Sequence, residues 1–188
     1  MGMGTAANKK EIAPGSGVPI RDLRADARSL ALAEFEERHG SAFLLLSAAD
    51  LSTPRPTITE VRLDGDSVVT RRAESTASLS LVVYALRRNG RSASHLITLG
   101  RAPDNDVVVP DVSISRFHAF VKQGANRRWL MQDAGSTNGT TVNGSSVPRQ
   151  GHGPPAELCS GDDVRLGQVE LTFLDGEALA SFASRLER

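Results

Sequence analysis

The chain has 188 residues, of which 39% are hydrophobic and only 4% are aromatic, and its formal net charge at pH 7 is zero. This length suits one domain with extensions, and the apolar fraction is large enough for one core built mainly from Val, Leu, Ile and Ala. The neutral balance argues against a dedicated binder of nucleic acid or of an anionic membrane, because such proteins gain their affinity from a basic face.

The first part of the chain differs from the rest in composition and in the pattern of its apolar residues. Residues 1–19 are rich in Gly, Ala, Ser and Pro and are predicted to form a flexible tail. Residues 20–39 are predicted to form a helix that ends before Gly40. One face of this helix would carry the apolar residues Ile20, Leu23, Ala27, Leu30 and Ala31. The run AFLLL at 42–46 fits either a strand or a continued helix, because its apolar residues show no period.

Residues 52–59 contain two prolines and are predicted to be irregular, and Asp64-Gly65 is compatible with a small hairpin. The stretch RRAESTAS then has the composition of a linker. We therefore interpret residues 20–78 as an N-terminal extension made of the helix, this irregular part and the linker.

From Leu79 onward the sequence consists of short β-type runs separated by turn residues at intervals of about ten, which is typical of an all-β sandwich or barrel. After this region, residues 176–188 are predicted to form a short C-terminal helix. Its apolar residues at helical spacing are Leu179, Phe182, Ala183 and Leu186.

Four short stretches of this region carry polar motifs at the ends of the β-type runs, and the order of the motifs is more informative than any one of them. The stretches are LGRAPDNDVVV, VSISRFHAF, GSTNGTTVNG and LCSGDDVRLG. The succession Gly-Arg, Ser-Arg-x-His, Ser-Thr-Asn-Gly-Thr, Asn-Gly and Gly-Asp resembles the forkhead-associated (FHA) domain. The resemblance covers about residues 79–175, roughly half of the chain. It implies a mainly β fold, a sandwich of about eleven strands with recognition loops at one end.

The resemblance also implies binding of phosphothreonine peptides, with no catalysis, no cofactor and no metal. The residues that it assigns to the phosphopeptide are Arg101, Ser115, Arg116, Thr137 and Asn138. The residues that it assigns to support of the site are Gly100, His118, Gly139, Asn143 and Gly144. The partners implied are a phosphothreonine-containing protein and a Ser/Thr protein kinase system.

The residue types suit this chemistry. A guanidinium offers a planar fork of donors to a phosphate, which favours Arg101 as its main cation. Asn138-Gly139 can form a tight turn that projects Thr137 and Asn138 side by side. Asn143-Gly144 would return the next strand and shape a wall of the same site, although an ordinary hairpin turn is the favoured interpretation. His118 is expected to brace the loops rather than to act as an acid or base.

Two other function classes remain open. One is a phosphate-independent structural scaffold, and the other is an enzyme with its centre in residues 20–75, for which no supporting constellation is visible.

Cys159 is the single cysteine, so it forms no intrachain disulfide, and the histidines lack metal-ligand spacing. With 19 Arg against 3 Lys and no visible signal or membrane-spanning run, we expect a cytoplasmic bacterial protein. Threonines between Thr53 and Thr70 are candidates for phosphorylation that would occupy the chain's own site.

Overall fold

A computed structural model describes residues 15–47, 81–90 and 95–186. In these ranges the chain forms a sandwich of two β-sheets with a helical layer on the outside of one sheet. The predicted hairpin at Asp64-Gly65, the linker and the candidate threonines between Thr53 and Thr70 lie outside the described residues. The predicted tail is described only from Gly15 onward.

The described residues contain twelve strands. In chain order they are β1 Val18–Pro19, β2 Ala42–Ser47, β3 Leu81–Ala85, β4 Ile97–Gly100, β5 Val107–Val108, β6 Ala119–Gln123, β7 Trp129–Asp133, β8 Thr140–Val142, β9 Ser145–Ser146, β10 Ala156–Leu158, β11 Asp163–Leu166 and β12 Val169–Asp175. One sheet has the order β1-β3-β2-β12-β11-β8-β9 and the other the order β10-β7-β6-β4-β5. The prediction of a mainly β sandwich is confirmed.

The main core lies between the two sheets and follows from period-two patterning. In β7, Trp129 and Met131 point inward while Leu130 and Gln132 are half-buried on the other face, and in β11 Val164 and Leu166 are buried. Aliphatic side chains dominate this core, as the low aromatic content requires. Because both sheets pack against this core, the strands are held in place and the loops at their ends start from fixed positions.

The run AFLLL forms strand β2, which pairs with β3 on one side and β12 on the other. Ala42, Leu44 and Leu46 face the main core, while Phe43 is buried under the helical layer. Both faces of this strand are therefore covered, which explains why its apolar run shows no alternation. The domain start at residue 79 stays a prediction, and the seven-stranded sheet contains strands from before that position.

The predicted α-helical character of the N-terminal extension is confirmed, but residues 20–39 do not form one continuous helix. The structure has a 3₁₀ turn at Ile20–Leu23, helix α1 at Arg24–Ser29 and helix α2 at Leu32–His39. Leu30 and Ala31 between the helices have extended ψ angles of 147° and 153°. The break lets Ile20, Leu23 and Phe35 all reach one apolar cluster against the sheet, whereas Ala31, expected on the apolar face, is exposed.

The C-terminal helix α3, Gly176–Arg185, is present as predicted. The Asp175 carboxylate caps it by accepting a 2.8 Å hydrogen bond from the Ala178 N–H. Leu179 and Ala183 are buried in the same cluster as α1 and α2, but Phe182 is 39% exposed. Among the described residues, no helix has the length and apolar character needed to cross a membrane.

Candidate functional site

Three loops meet at one end of the sandwich. They are residues 101–106 after β4, residues 109–118 before β6 and residues 134–139 between β7 and β8, and we call them the first, second and third loops. The first and second loops are joined by backbone hydrogen bonds from the Arg101 N–H to the Ser115 carbonyl, 3.1 Å, and from the Ala102 N–H to the Arg116 carbonyl, 3.2 Å. The second and third loops are joined through side chains, so the three loops form one unit.

Gly100 is required where the first two loops approach each other. A Cβ atom at this position would lie 2.3 Å from the Arg116 carbonyl oxygen and 2.8 Å from Asn105 Nδ2. No real side chain fits at those distances. The glycine therefore lets the strand end run directly beside the second loop, which brings Arg101 and Arg116 to the same end of the molecule.

Arg101 and Arg116 both have exposed side chains. Neither guanidinium makes a hydrogen bond or an ion pair with any residue that the structure describes. As far as residues 15–47, 81–90 and 95–186 are concerned, both cations are thus available to an anion without breaking an existing contact.

The hydroxyls of Ser115 and Thr137 lie between these loops, and their oxygens are 3.4 Å apart. Ser115 Oγ also accepts a 3.0 Å hydrogen bond from the Thr137 N–H. Each hydroxyl can turn its hydrogen toward a ligand because the Cβ–O bond rotates. The pair offers two closely spaced donors held by two different loops.

Asn138 is exposed, and its Nδ2 donates a 2.8 Å hydrogen bond to the Ser113 carbonyl of the second loop. Ser113 is in turn held by Asp111, whose Oδ1 accepts from the Ser113 N–H at 2.8 Å and from its hydroxyl at 2.6 Å. This chain of bonds fixes the Asn138 side chain. Its Oδ1 has no partner among the described residues and can accept from a ligand N–H.

His118 is fully buried beneath the loops. Its Nδ1 accepts a 3.0 Å hydrogen bond from the Ser115 N–H, and its Nε2 lies 3.1 Å from the Gly139 carbonyl oxygen. Because a carbonyl can only accept, Nε2 carries the hydrogen and the ring is neutral. Burial lowers the pKa of His118, although the Gly139 carbonyl and Asp133 act in the opposite direction. The ring joins the second loop to the third and has no accessible position for acid or base chemistry.

Sequence reasoning missed Asp133, which organises the third loop and is 2% exposed. Its carboxylate accepts hydrogen bonds from the Gly135 and Ser136 N–H groups and from the hydroxyls of Ser136 and Thr140, at 2.6 to 2.9 Å. Burial alone would raise the pKa of Asp133, but these hydrogen bonds outweigh it and hold the pKa below its ordinary value. The available signal was an Asp two residues before Gly135, a spacing typical of an Asx turn.

The third loop turns back at Gly139, whose φ of +79° favours glycine. Its N–H donates 3.0 Å to Ser136 Oγ, while its carbonyl accepts from His118 and, at 3.0 Å, from the Gly167 N–H. Gly139 thus belongs to the braced site.

Asn143 and Gly144 are not brought to this end. They form the turn between β8 and β9, at the opposite end of β8 from the third loop. Their φ angles of +49° and +76° suit a two-residue hairpin turn. Asn143 Nδ2 donates 2.8 Å to Asp162 Oδ1 and its Oδ1 accepts 2.9 Å from the Asp163 N–H. The expectation that this turn shapes a wall of the loop site is corrected, because three residues of strand separate the two turns.

Chemically, this end presents two guanidiniums, two hydroxyls and an amide oxygen on loops that are already hydrogen-bonded to one another, and the guanidiniums and the amide oxygen have no partner in the described part of the chain. Such an arrangement suits a tetrahedral anion attached to an extended chain. In the described part of the chain, no three His, Cys, Asp or Glu side chains gather to hold a metal ion.

The family model described as the FHA domain matches residues 97–167. The glycogen accumulation regulator GarA of Mycobacterium tuberculosis is 38% identical over 81 residues, which are 43% of this chain and 46% of GarA. The oxoglutarate dehydrogenase inhibitor of Corynebacterium diphtheriae is 40% identical over 80 residues, covering 42% of this chain and 50% of the inhibitor. The matched part of the chain thus spans about half the length of these curated relatives.

Among solved structures, the FHA domain of the CT664 protein from Chlamydia trachomatis superposes with a TM-score of 0.44 and 24% identity. The superposition covers 72% of this chain and 98% of that one.

Proposed function

We propose that this chain, whose residues 97–167 match the FHA domain, binds phosphothreonine peptides as a non-catalytic adaptor in Ser/Thr kinase signalling. The observation that carries the proposal is that the Ser115 and Thr137 hydroxyls, 3.4 Å apart, lie on the same joined loops as Arg101 and Arg116. The guanidiniums of both arginines have no partner among the described residues. A phosphorylated partner made by a protein kinase is the ligand class that this set of donors fits.

Each residue has a distinct role in the proposed complex. Arg101, Ser115 and Thr137 donate to the phosphate oxygens, and Arg116 supplies a second positive charge. Asn138 binds the peptide backbone through its free Oδ1. The phosphate is close to doubly charged at pH 7, so the hydrogen bonds are charge-assisted and individually contribute about 1.5–3 kcal/mol.

Preorganisation supports this proposal further. The loops are held before any ligand arrives, by His118 between the second and third loops and by Asp133 within the third. Little conformational entropy is then lost on binding, which favours affinity.

Calorimetry on the full chain with matched phosphothreonine and unphosphorylated peptides tests the proposal. We expect binding of the phosphorylated form only, and we expect Arg101→Ala to weaken it at least tenfold, because a bidentate charge-assisted contact is removed. Arg165→Ala is the matched control, since Arg165 is also exposed but lies on β11. Equal affinity of the Arg101→Ala variant and the unchanged chain would contradict the assignment.

The alternative function is a structural scaffold that packs partners without phosphate. It predicts that a partner captured by the chain stays bound after phosphatase treatment and in the Arg101→Ala variant. The intact set of donors favours the phosphate-dependent function. The bacterial cytoplasm is the compartment in which we expect the partner and its kinase.

A further inference from the structure

A depression of about 450 Å³ lies beside the first loop, next to the candidate phosphate site. It is lined by Thr98, Ala102, Asp104, Asn105, Arg116 and Phe117. Arg116 belongs to both places, so a peptide whose phosphate is bound at the loops passes within reach of the depression.

Asn105 contributes a hydrogen-bond acceptor to this depression although the residue is only 5% exposed. Its Nδ2 donates to the Ala102 carbonyl at 2.8 Å and to the Arg116 carbonyl at 2.7 Å. Because both partners are carbonyl oxygens, which only accept hydrogen bonds, the amide atom that faces them is the nitrogen and the other is the oxygen. The Oδ1 atom has no partner among the described residues. His39 Nδ1 is the one fully buried polar side-chain atom without a partner in that part of the chain, so Asn105 Oδ1 keeps contact with solvent and can accept from a ligand.

The rim adds a negative charge and an aromatic face. Asp104 is exposed, and its carboxylate has no hydrogen bond or ion pair in the part of the chain that the structure describes. Phe117 is 46% exposed, which leaves a large apolar ring beside the carboxylate. A ring face attracts a cation, and a carboxylate and an amide oxygen both accept hydrogen bonds from one.

We propose that this depression takes a Lys or Arg side chain of the same phosphopeptide, a specificity that rests on the proposed function. The aliphatic stem lies on Phe117, and the charged head donates to Asn105 Oδ1 and to the Asp104 carboxylate. Arg116 would repel such a cation in the free protein. In the complex the phosphate neutralises Arg116, so the basic side chain binds only alongside the phosphate.

Fluorescence anisotropy on the full chain tests this with a phosphothreonine peptide of otherwise alanine background. Single lysines are placed at each position before and after the phosphothreonine, with norleucine as the uncharged replacement of similar shape. We expect one position at which lysine, but not norleucine, tightens binding about fivefold over alanine. Asp104→Asn and Phe117→Ala should each remove most of that gain and leave the affinity of the all-alanine peptide nearly unchanged.

Asp163→Asn and Phe182→Ala are matched controls, because they change an exposed carboxylate and a half-exposed ring on other elements. Both should keep the fivefold gain. An equal gain from norleucine, equal gains at every position, or a gain that persists in Asp104→Asn and Phe117→Ala would overturn the basic subsite while leaving phosphate binding intact. Failure of every phosphothreonine peptide to bind would overturn the proposed function and the subsite together.

Discussion

His118 illustrates how a single buried residue can join two loops through both of its ring nitrogens. A histidine between a serine-rich loop and an Asn-Gly turn invites a catalytic interpretation. In the fold, both ring nitrogens are used, one by the Ser115 N–H and the other by the Gly139 carbonyl. Protonation would place a hydrogen on Nδ1 against the N–H that it accepts from. The neutral ring is therefore part of the folded architecture.

This arrangement predicts a pH dependence of stability. The pKa of His118 is lowered in the folded chain from its ordinary value of 6.5, so below that pH the unfolded chain takes up a proton that the folded chain does not. The free energy of unfolding should decline as pH falls from 6.5 toward the folded pKa. Chemical denaturation between pH 7 and pH 5 should show the decline.

His118→Ala should remove this component of the slope and cost about 2–3 kcal/mol at pH 7, because two buried hydrogen bonds are lost. His152→Ala, at an exposed histidine, is the control substitution and should leave the stability at pH 7 nearly unchanged. An identical slope in His118→Ala and the unchanged chain would refute the assignment of the effect to His118.

Asp133 and Asn105 are further residues whose roles depend on where the chain is buried. Both have the residue type of an ordinary turn former. Asp133 lies two residues before Gly135, and Asn105 lies two residues before the start of β5. Their importance comes from burial, since a carboxylate or amide with little access to water is stabilised by hydrogen bonds within the loops. Asp133 accepts from N–H groups and hydroxyls, and Asn105 donates to two carbonyls. Local turn chemistry indicated a turn at each place but not which atoms it would hold.

Strand β2 is the element that decides the limits of the folding unit. It lies between β3 and β12, with Phe43 and Leu45 facing the helical layer and Leu44 and Leu46 facing the main core. Removing it would divide the seven-stranded sheet and expose both apolar surfaces.

A chain truncated to residues 79–188 should therefore fail to fold cooperatively, although it contains every motif of the loop site. Removal of residues 1–14 is the control, since it deletes none of the described elements and should leave unfolding cooperative. Circular dichroism and urea denaturation distinguish the two outcomes. A cooperative transition in the 79–188 chain with the stability of the full chain would show that β2 is dispensable.

On the scale of the whole molecule, the loop site and the helical layer are separate. The loops lie at one end of the sandwich, and α1, α2 and α3 cover the outer face of the seven-stranded sheet. The layer is tied to the rest by contacts such as the 2.6 Å ion pair between Glu36 of α2 and Arg127, in the turn between β6 and β7. Ligand binding at the loops should accordingly depend on the ligand's charge more than on changes in the helices.

The affinity for a phosphothreonine peptide should weaken between pH 7 and pH 5. The second pKa of the phosphate is about 6, so the ligand loses part of its negative charge over this range while the arginines stay charged. Calorimetry at both pH values measures the loss, and circular dichroism at pH 5 checks that the chain is still folded. Constant affinity across the pH range would contradict a site for the phosphate dianion.

Phosphothreonine should also bind more tightly than phosphoserine, as expected from the FHA resemblance.

The sequence by itself determined the β-sandwich, the C-terminal helix and the motif residues of the loop site, because strand periodicity and Gly-Arg or Asn-Gly turns are encoded within a few neighbouring residues. Only the tertiary structure decided that residues 20–39 bend at Leu30, that 42–46 form a central strand and that Asn143-Gly144 lies away from the loops. It alone brought Asp104, Asn105 and Phe117 around one depression. These outcomes depend on contacts between residues distant in the chain, where burial on both faces of an element overrides its local pattern.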